Sequence, residues 1–239
     1  MFAARSFKYS TPAVAVLLLA FVAAPACPAR KGKQRGAEGS AQPARGWRQL
    51  FNGRDLDGWE HLGPGRFVVE GGLLRTEGGM GLLWYTRERF GDCVLRVVYK
   101  TTDPASNSGV FVRIADRPRD EWFAVHHGYE VQILDRQDEY HRTGAIYSLA
   151  KSTSLPVSPT GEWNVMEITL RGPRIFVHLN GRQVNDFDPS QPAPPRTKDW
   201  EPERGPRPEA GYVGLQNHDD YVRDKPTHVY FKEVSVRPL

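Results

Sequence analysis

The sequence predicts an all-β protein, an antiparallel β-sandwich of ten or more short strands in one domain. Three observations carry that expectation. Short segments with period-two apolar alternation recur from residue 47 to the C-terminus, and alternation of that period places one face of a strand in a core. Turn signals separate them, among them Asn52-Gly53, Gly71-Gly72 and Asn180-Gly181, whose residues take up the positive-φ turns of tight hairpins at little cost. No stretch after residue 46 keeps a 3.6-residue apolar period over a helix length, and no internal repeat is present. A sandwich of this size is commonly a single domain.

The elements follow in order. Trp47 to Gly53 and Leu56 to Trp59 open the folded part, the second containing the turn signal Asp57-Gly58. Phe67–Glu70 and Leu73–Thr76 read as a hairpin across Gly71-Gly72. Leu82–Thr86 and Val94–Lys100 come next, the latter with Leu95, Val97 and Tyr99 inward. Asn107–Arg113 and Tyr129–Asp135 are strands, and Gly144–Tyr147 reads as a further short one. Trp163–Arg171, Arg174–Leu179 and Gln183–Asn185 form a second hairpin system. A Pro-rich stretch, Asp188–Glu209, cannot make a core strand and is expected as a lid or a disordered excursion. Gly211–His218 and Val229–Val236 complete the sheets.

Residues 1–26 are expected to be a signal peptide: Arg5 and Lys8, an apolar run Ala13–Ala24, then the small-x-small site Ala24-Pro25-Ala26. The run is too short to span a bilayer comfortably. Export is therefore expected. Cys27 follows the cleavage bond, so a lipid on Cys27 would attach the protein to a membrane, although Ala24 stands where lipoprotein signals usually carry Leu. Residues 27–46 read as a flexible basic linker, with 47–239 as the folded domain. Cys93 reads as a buried free thiol. The formal charge of +4 resides in the N-terminal segment: residues 1–46 carry net +6, leaving −2 for the domain. Without a clustered basic face on the folded part, a nucleic-acid partner is not expected.

The residues that could carry chemistry gather on a few strands. Glu130, Gln132 and Leu134 share one face of their strand, opposite Tyr129, Val131 and Ile133. Phe111 and Arg113 share a face opposite Val110, Val112 and Ile114. The polar faces of these strands, side by side, would floor a sugar cleft, with Phe111, Trp84, Trp122 and Trp200 as candidate ring platforms. A solvated outer face with a weak Arg113–Glu130 pair is the alternative. Gln216 and His218 project together from a third strand, and a histidine can serve as a general base or a metal ligand. Asp138, Glu139, Tyr140, His141 and Tyr147 form a polar loop that is either part of a site or merely solvated. His126 and His127, if on a strand, would face opposite ways and could not ligate one metal. No zinc spacing, nucleophile elbow, phosphate loop or dinucleotide fingerprint occurs.

Several segments together resemble a known family. Leu50-Phe51-Asn52-Gly53-Arg54-Asp55-Leu56-Asp57-Gly58-Trp59 is similar to its opening signature. Gly71-Gly72-Leu73-Leu74, Asn107–Arg113, Tyr129–Asp135 and Thr143–Tyr147 follow in its order. Gly161-Glu162-Trp163-Asn164, Leu179-Asn180-Gly181 and Gly214–His218 complete it. The family is that of the 3-keto-disaccharide hydrolase domains, and the likeness covers residues 47–239. It implies a concanavalin A-like, lectin/glucanase-type jelly roll in exported bacterial proteins of the periplasm or cell surface. It also implies cleavage of glycosides that a partner sugar 3-oxidoreductase has oxidised at C3. A C3 ketone acidifies the C2 proton, so a modest base can expel the C1 substituent by elimination, and hydration completes the cleavage. The roles expected for this chemistry are Glu130 or His218 as base, Arg113 as electrostatic stabiliser, Asp135 as a further catalytic group, and Asn107, Phe111, Gln132, Tyr147, Gln216 and Trp200 as substrate binders. No cofactor is evident; a divalent cation on the ketone is compatible with this chemistry, but no ligand set can be read from spacing.

Two rivals share the fold. Laminarinase-like glucanases carry Glu-x-Asp-x-x-Glu on one strand, and Glu130, Gln132 and Asp135 occupy those spacings with two of the three residue types changed. A non-catalytic carbohydrate-binding module needs only the aromatic and polar groups.

Overall fold

The computed structural model describes residues 46–135, 137–218 and 226–239. The expected signal peptide, Cys27, nearly all of the expected linker, and Asp219-Asp220 lie outside the described residues.

Two antiparallel sheets face each other. The larger contains β1 (Arg48–Gln49), β3 (Arg66–Glu70), β4 (Leu73–Glu77), β6 (Cys93–Thr101), β9 (Asn164–Arg171), β10 (Arg174–Leu179), β11 (Arg182–Phe187) and β13 (Val229–Pro238). Its order is β11-β10-β9-β6-β13-β4-β3, with β1 also on β13. The smaller contains β2 (Trp59–Leu62), β5 (Gly81–Tyr85), β7 (Ser108–Ile114), β8 (Tyr129–Ile133) and β12 (Tyr212–Asn217) in the order β2-β5-β12-β7-β8. Leu95, Val97 and Tyr99 of β6 and Met166, Ile168 and Leu170 of β9 meet Val110, Val112, Tyr129, Val131 and Ile133 in one core between the sheets. The alternation expected from the sequence holds on these strands. Cys93 is buried as a free thiol, and burial pushes it up to about 11.

The structure departs from expectation in three places. A five-residue helix, α1 (Phe123–His127), lies on the outer face of the smaller sheet. Phe123, Ala124 and Val125 cover Leu82, Trp84, Phe111 and Ile114 there. One helical turn is too short to show a 3.6-residue period, and it places His126 and His127 on a helix rather than a strand.

The second departure is a β-bulge in β7. Tyr212 and Gly214 of β12 pair with Ile114 and Phe111, so two residues of β7, Val112 and Arg113, oppose one of β12. Arg113 takes a left-handed φ of 55°. The extra residue reverses the parity of the strand: Ile114 joins Phe111 on the outer face, and Arg113 turns inward with Val112. A Cβ on Gly211 would lie 2.4 Å from the Arg113 carbonyl carbon, so a glycine is needed beside the bulge.

The third concerns Gly144–Tyr147, which forms a strap rather than a strand, pairing through an isolated bridge at Val131 and Ile146. Its backbone bonds to the open edge of β8 at Gln132 N to Ala145 O (3.0 Å), Gly144 N to Gln132 O (3.0 Å) and Tyr147 N to Glu130 O (2.9 Å). The edge is thereby covered. The 188–209 stretch is neither a strand nor disordered. Glu201 accepts from Thr197 N and Oγ1 (3.1 and 2.8 Å), and Arg204 donates to Pro194 O and Glu201 (2.8 and 2.9 Å). Arg207 ties it to β8 through Tyr129 Oη (3.0 Å) and to Gly128 O (3.1 Å).

Candidate active site

The outer face of the smaller sheet is half apolar and half polar. Helix α1 covers the apolar half; beside it β7, β8 and β12 leave a recess. Glu130, Gln132, Gln216 and Asn107 supply its polar lining, and His218 stands at the end of β12. Met80, Trp122 and Val125 line it on the helix side, with Tyr147 and Trp200 from the strap and the Pro-rich loop. Trp122 and Trp200 are 40% and 53% exposed, so both leave aromatic surface open beside the recess.

Glu130 lies at the centre. It is 6% exposed, and burial pushes its carboxyl up to about 8, opposed by a hydrogen bond from Gln216. The Gln132 amide, oriented so that its nitrogen faces acceptors, donates to Glu130 Oε1 at 2.7 Å and to Ser108 O at 3.2 Å. The side chain of Glu130 lies across Gly109, where a Cβ would come within 2.3 Å of Oε1 and 2.7 Å of Cγ. Only glycine leaves that space. Gln216 Oε1 is buried without a partner among the described residues, an acceptor available to a hydroxyl. Tyr147 is pushed up to about 12 by burial and then by Glu130, so its phenol stays a hydrogen-bond donor.

Eight residues singled out in the sequence therefore meet here: Glu130, Gln132, Asn107, Trp122, Tyr147, Trp200, Gln216 and His218. Three do not. Phe111 is fully buried beneath α1, as is Trp84, so neither is a sugar platform. Asp135 points to the opposite side of its strand, where Thr143 Oγ1 donates to it at 2.6 Å and Tyr99 lies within its field. Arg113, turned inward by the bulge, is 1% exposed and donates through Nη2 to Gly172 O of the opposite sheet's β9–β10 turn. Its Nε and Nη1 have no partner among the described residues, and burial lowers its pKa. Arg113→Met should thus leave turnover within about threefold of the parent and hold or raise stability by up to about 4 kcal/mol, read from denaturant midpoints. A tenfold fall in kcat/KM would return Arg113 to the site.

Gly109, Met80 and Val125 were missed in the sequence. A glycine inside the strand Asn107–Arg113 is the one legible signal, since such a glycine often marks a close approach. Among the described residues no group of three His, Cys, Asp or Glu side chains gathers where a metal ion could sit, so the divalent cation considered from the sequence finds no donor set there.

The jelly-roll sandwich with a polar recess on the outer face of one sheet defines the class: the concanavalin A-like architecture of lectins and glucanases. A Bacillus subtilis protein of unknown function with a galectin-like fold shares it at 13% identity over 80% of this chain and 94% of that one, with a TM-score of 0.56. A Bacillus licheniformis β-glucanase does so at 11% identity over 81% and 98%, with a TM-score of 0.52. A glycosyl hydrolase candidate from Parabacteroides distasonis is 26% identical over 81% of this chain and 99% of that one, at a TM-score of 0.64. No curated protein is significantly similar in sequence. Residues 46–237 match the 3-keto-alpha-glucoside-1,2-lyase-like domain, and the chain belongs to that family.

Proposed function

We propose that the protein cleaves 3-keto-glycosides by elimination across C2 and C1, followed by hydration. One observation carries this: among the described residues the recess contains a single carboxyl, Glu130, desolvated and among amide donors. Double displacement needs a second carboxyl about 5–5.5 Å from the first, and Asp135, the acid at the glucanase spacing, faces away. A lone carboxylate of raised basicity is instead suited to taking a proton beside a ketone. The C2–H pair becomes the enolate of the C3 ketone; as the ketone re-forms, the C1–O bond breaks and a C1=C2 double bond remains. Trp122 and Trp200 offer faces for the sugar ring, and Asn107, Gln216 and His218 face its oxygens. The C3 ketone is supplied by a partner sugar 3-oxidoreductase. Export by residues 1–26 to the periplasm or cell surface, with Cys27 as a lipid-attachment point, belongs to the same proposal.

The test is incubation of purified protein with a chromogenic 3-keto-glucoside and 3-keto-trehalose, with and without chelator, beside the unoxidised glucosides. Release is expected from the keto forms alone; no product from any 3-keto-glycoside overturns the assignment. The acid limb of the pH profile gives a further expectation. Glu130 must lose its proton to act, so on the chromogenic substrate, whose leaving group departs unaided, kcat/KM should rise about tenfold per pH unit and level off near pH 8. A plateau already reached at pH 5 would show that another group is the base.

A further inference from the structure

Elimination leaves a second chemical problem, the departing oxygen. An alkoxide leaves poorly unless it gains a proton as the C1–O bond breaks. The recess around Glu130 opens into a second one, and the two share Asn107, Gln132, Tyr147 and Trp200 as lining. A disaccharide with its oxidised ring over Glu130 would place its other ring there. His141 lines this second recess together with Asp138. His141 Nδ1 lies 2.8 and 2.9 Å from the two Asp138 carboxylate oxygens, which as acceptors require the proton on Nδ1. The pair is held firmly. The Tyr140 amide donates to Asp138 Oδ1 at 2.9 Å, and Ser148 N and Ser152 N bind the carbonyls of Tyr140 and Glu139 at 3.0 and 2.8 Å. The His141 ring packs edge-on against Tyr147, centroids 5.3 Å apart, and the Tyr147 phenol feels both Glu130 and Asp138.

Resting on the elimination proposed above, we propose that His141, oriented by Asp138, is the general acid that protonates the leaving-group oxygen at this second subsite. Among the described residues, the two carboxyls and the phenol that also line the recess do not suit the task. Burial works against the charged form of Glu201, yet the hydrogen bonds from Thr197 and Arg204 outweigh it and hold the carboxyl below its usual range. Asp138 is likewise held low, because its bonds from His141 and Tyr140 outweigh burial. Tyr147 holds its proton to about 12. With a carboxylate on Nδ1, an imidazole presents Nε2 as the working atom, and His141 is so held.

The proton count closes over one cycle. In elimination the C2 proton goes to Glu130, the C1–O bond breaks, C1=C2 forms, and the imidazolium proton of His141 goes to the departing oxygen. In hydration a water oxygen bonds C1, its proton returns to His141, and the Glu130 proton returns to C2. Both groups are restored and net hydrolysis results.

The test compares two 3-keto substrates of unequal need for acid: a p-nitrophenyl 3-keto-glucoside, whose phenolate leaves unaided, and a 3-keto-disaccharide. For His141→Asn, kcat/KM on the disaccharide should fall about 10²–10⁴-fold, with the p-nitrophenyl substrate within about threefold of the parent. Asp138→Asn, which leaves the ring in place, should show the same selective loss to a smaller degree. Equal losses on both substrates with either variant, or no loss on the disaccharide, overturn the proposal. Wild-type protein idle on both would overturn the elimination reading itself, and this assignment with it.

Discussion

Replacing Glu130 by Gln is expected to lower turnover of a 3-keto-glucoside by about 10²–10⁴-fold and, at pH 9, to make the protein more stable. Both effects have one origin. The carboxyl is buried, and its pKa rises from the usual 4.5 to about 8. The folded state therefore binds this proton more tightly than the unfolded chain. Below pH 4.5 the group is protonated in both states and has no effect. Between pH 4.5 and 8 the unfolded chain loses the proton first, so stability falls as pH rises; above 8 the loss is complete. Its full size is on the order of 5 kcal/mol. The amide introduced by Glu130→Gln does not titrate and escapes that loss. Denaturant midpoints at pH 5 and pH 9 should separate parent and variant at the higher pH and bring them together at the lower. If the midpoints differ equally at both values, Glu130 is not the buried acid described here; if turnover survives, it is not the base.

A single methyl group at position 109 is expected to disable the same chemistry without unfolding the protein. In an ordinary strand Gly→Ala stabilises by about 0.5–1 kcal/mol. Here the new Cβ falls 2.3 Å from Glu130 Oε1. The atoms in the way belong to the free end of a side chain, so the carboxyl swings aside and the sheet persists. A displacement of about 1 Å at a reacting group costs about 10²-fold in rate, and Gly109→Ala should lose about that much with circular dichroism and melting behaviour retained. Combined with Glu130→Gln it should add almost nothing, since both changes remove the same proton transfer. Additive losses in the double variant would mean that Gly109 matters for some other contact.

Much of the fold was legible because burial follows period two. Met166, Ile168 and Leu170 alternate inward in sequence and are fully buried in the core. Asn180-Gly181 and Gly71-Gly72 name their hairpins. The polar floor was legible for the same reason: Glu130 and Gln132 share a parity, and so do Gln216 and His218. Parity fails where the chain changes its count, as at Val112–Arg113, where one extra residue sends an arginine into the core and a predicted stabiliser out of the site. It also fails where the covering element is shorter than the period that would reveal it, as with α1 over Phe111 and Trp84. Asp135 was misjudged because spacing was borrowed from a glucanase pattern, whereas alternation puts it on the side of Ile133. Gly109 left only the trace of a glycine in mid-strand; what it makes room for belongs to a side chain on the neighbouring strand.

The strap from Thr143 to Tyr147 has a bearing on how this site can change. Exposed strand edges invite addition of a second chain, and a covered one resists aggregation. The same five residues that shield β8 also deliver Tyr147 to the recess. Substitutions in this strap that widen the recess for bulkier glycosides therefore risk uncovering the edge, so solubility and substrate range are linked through one short stretch of backbone. Enlargement from the opposite wall, at Met80 or Trp122, carries no such link.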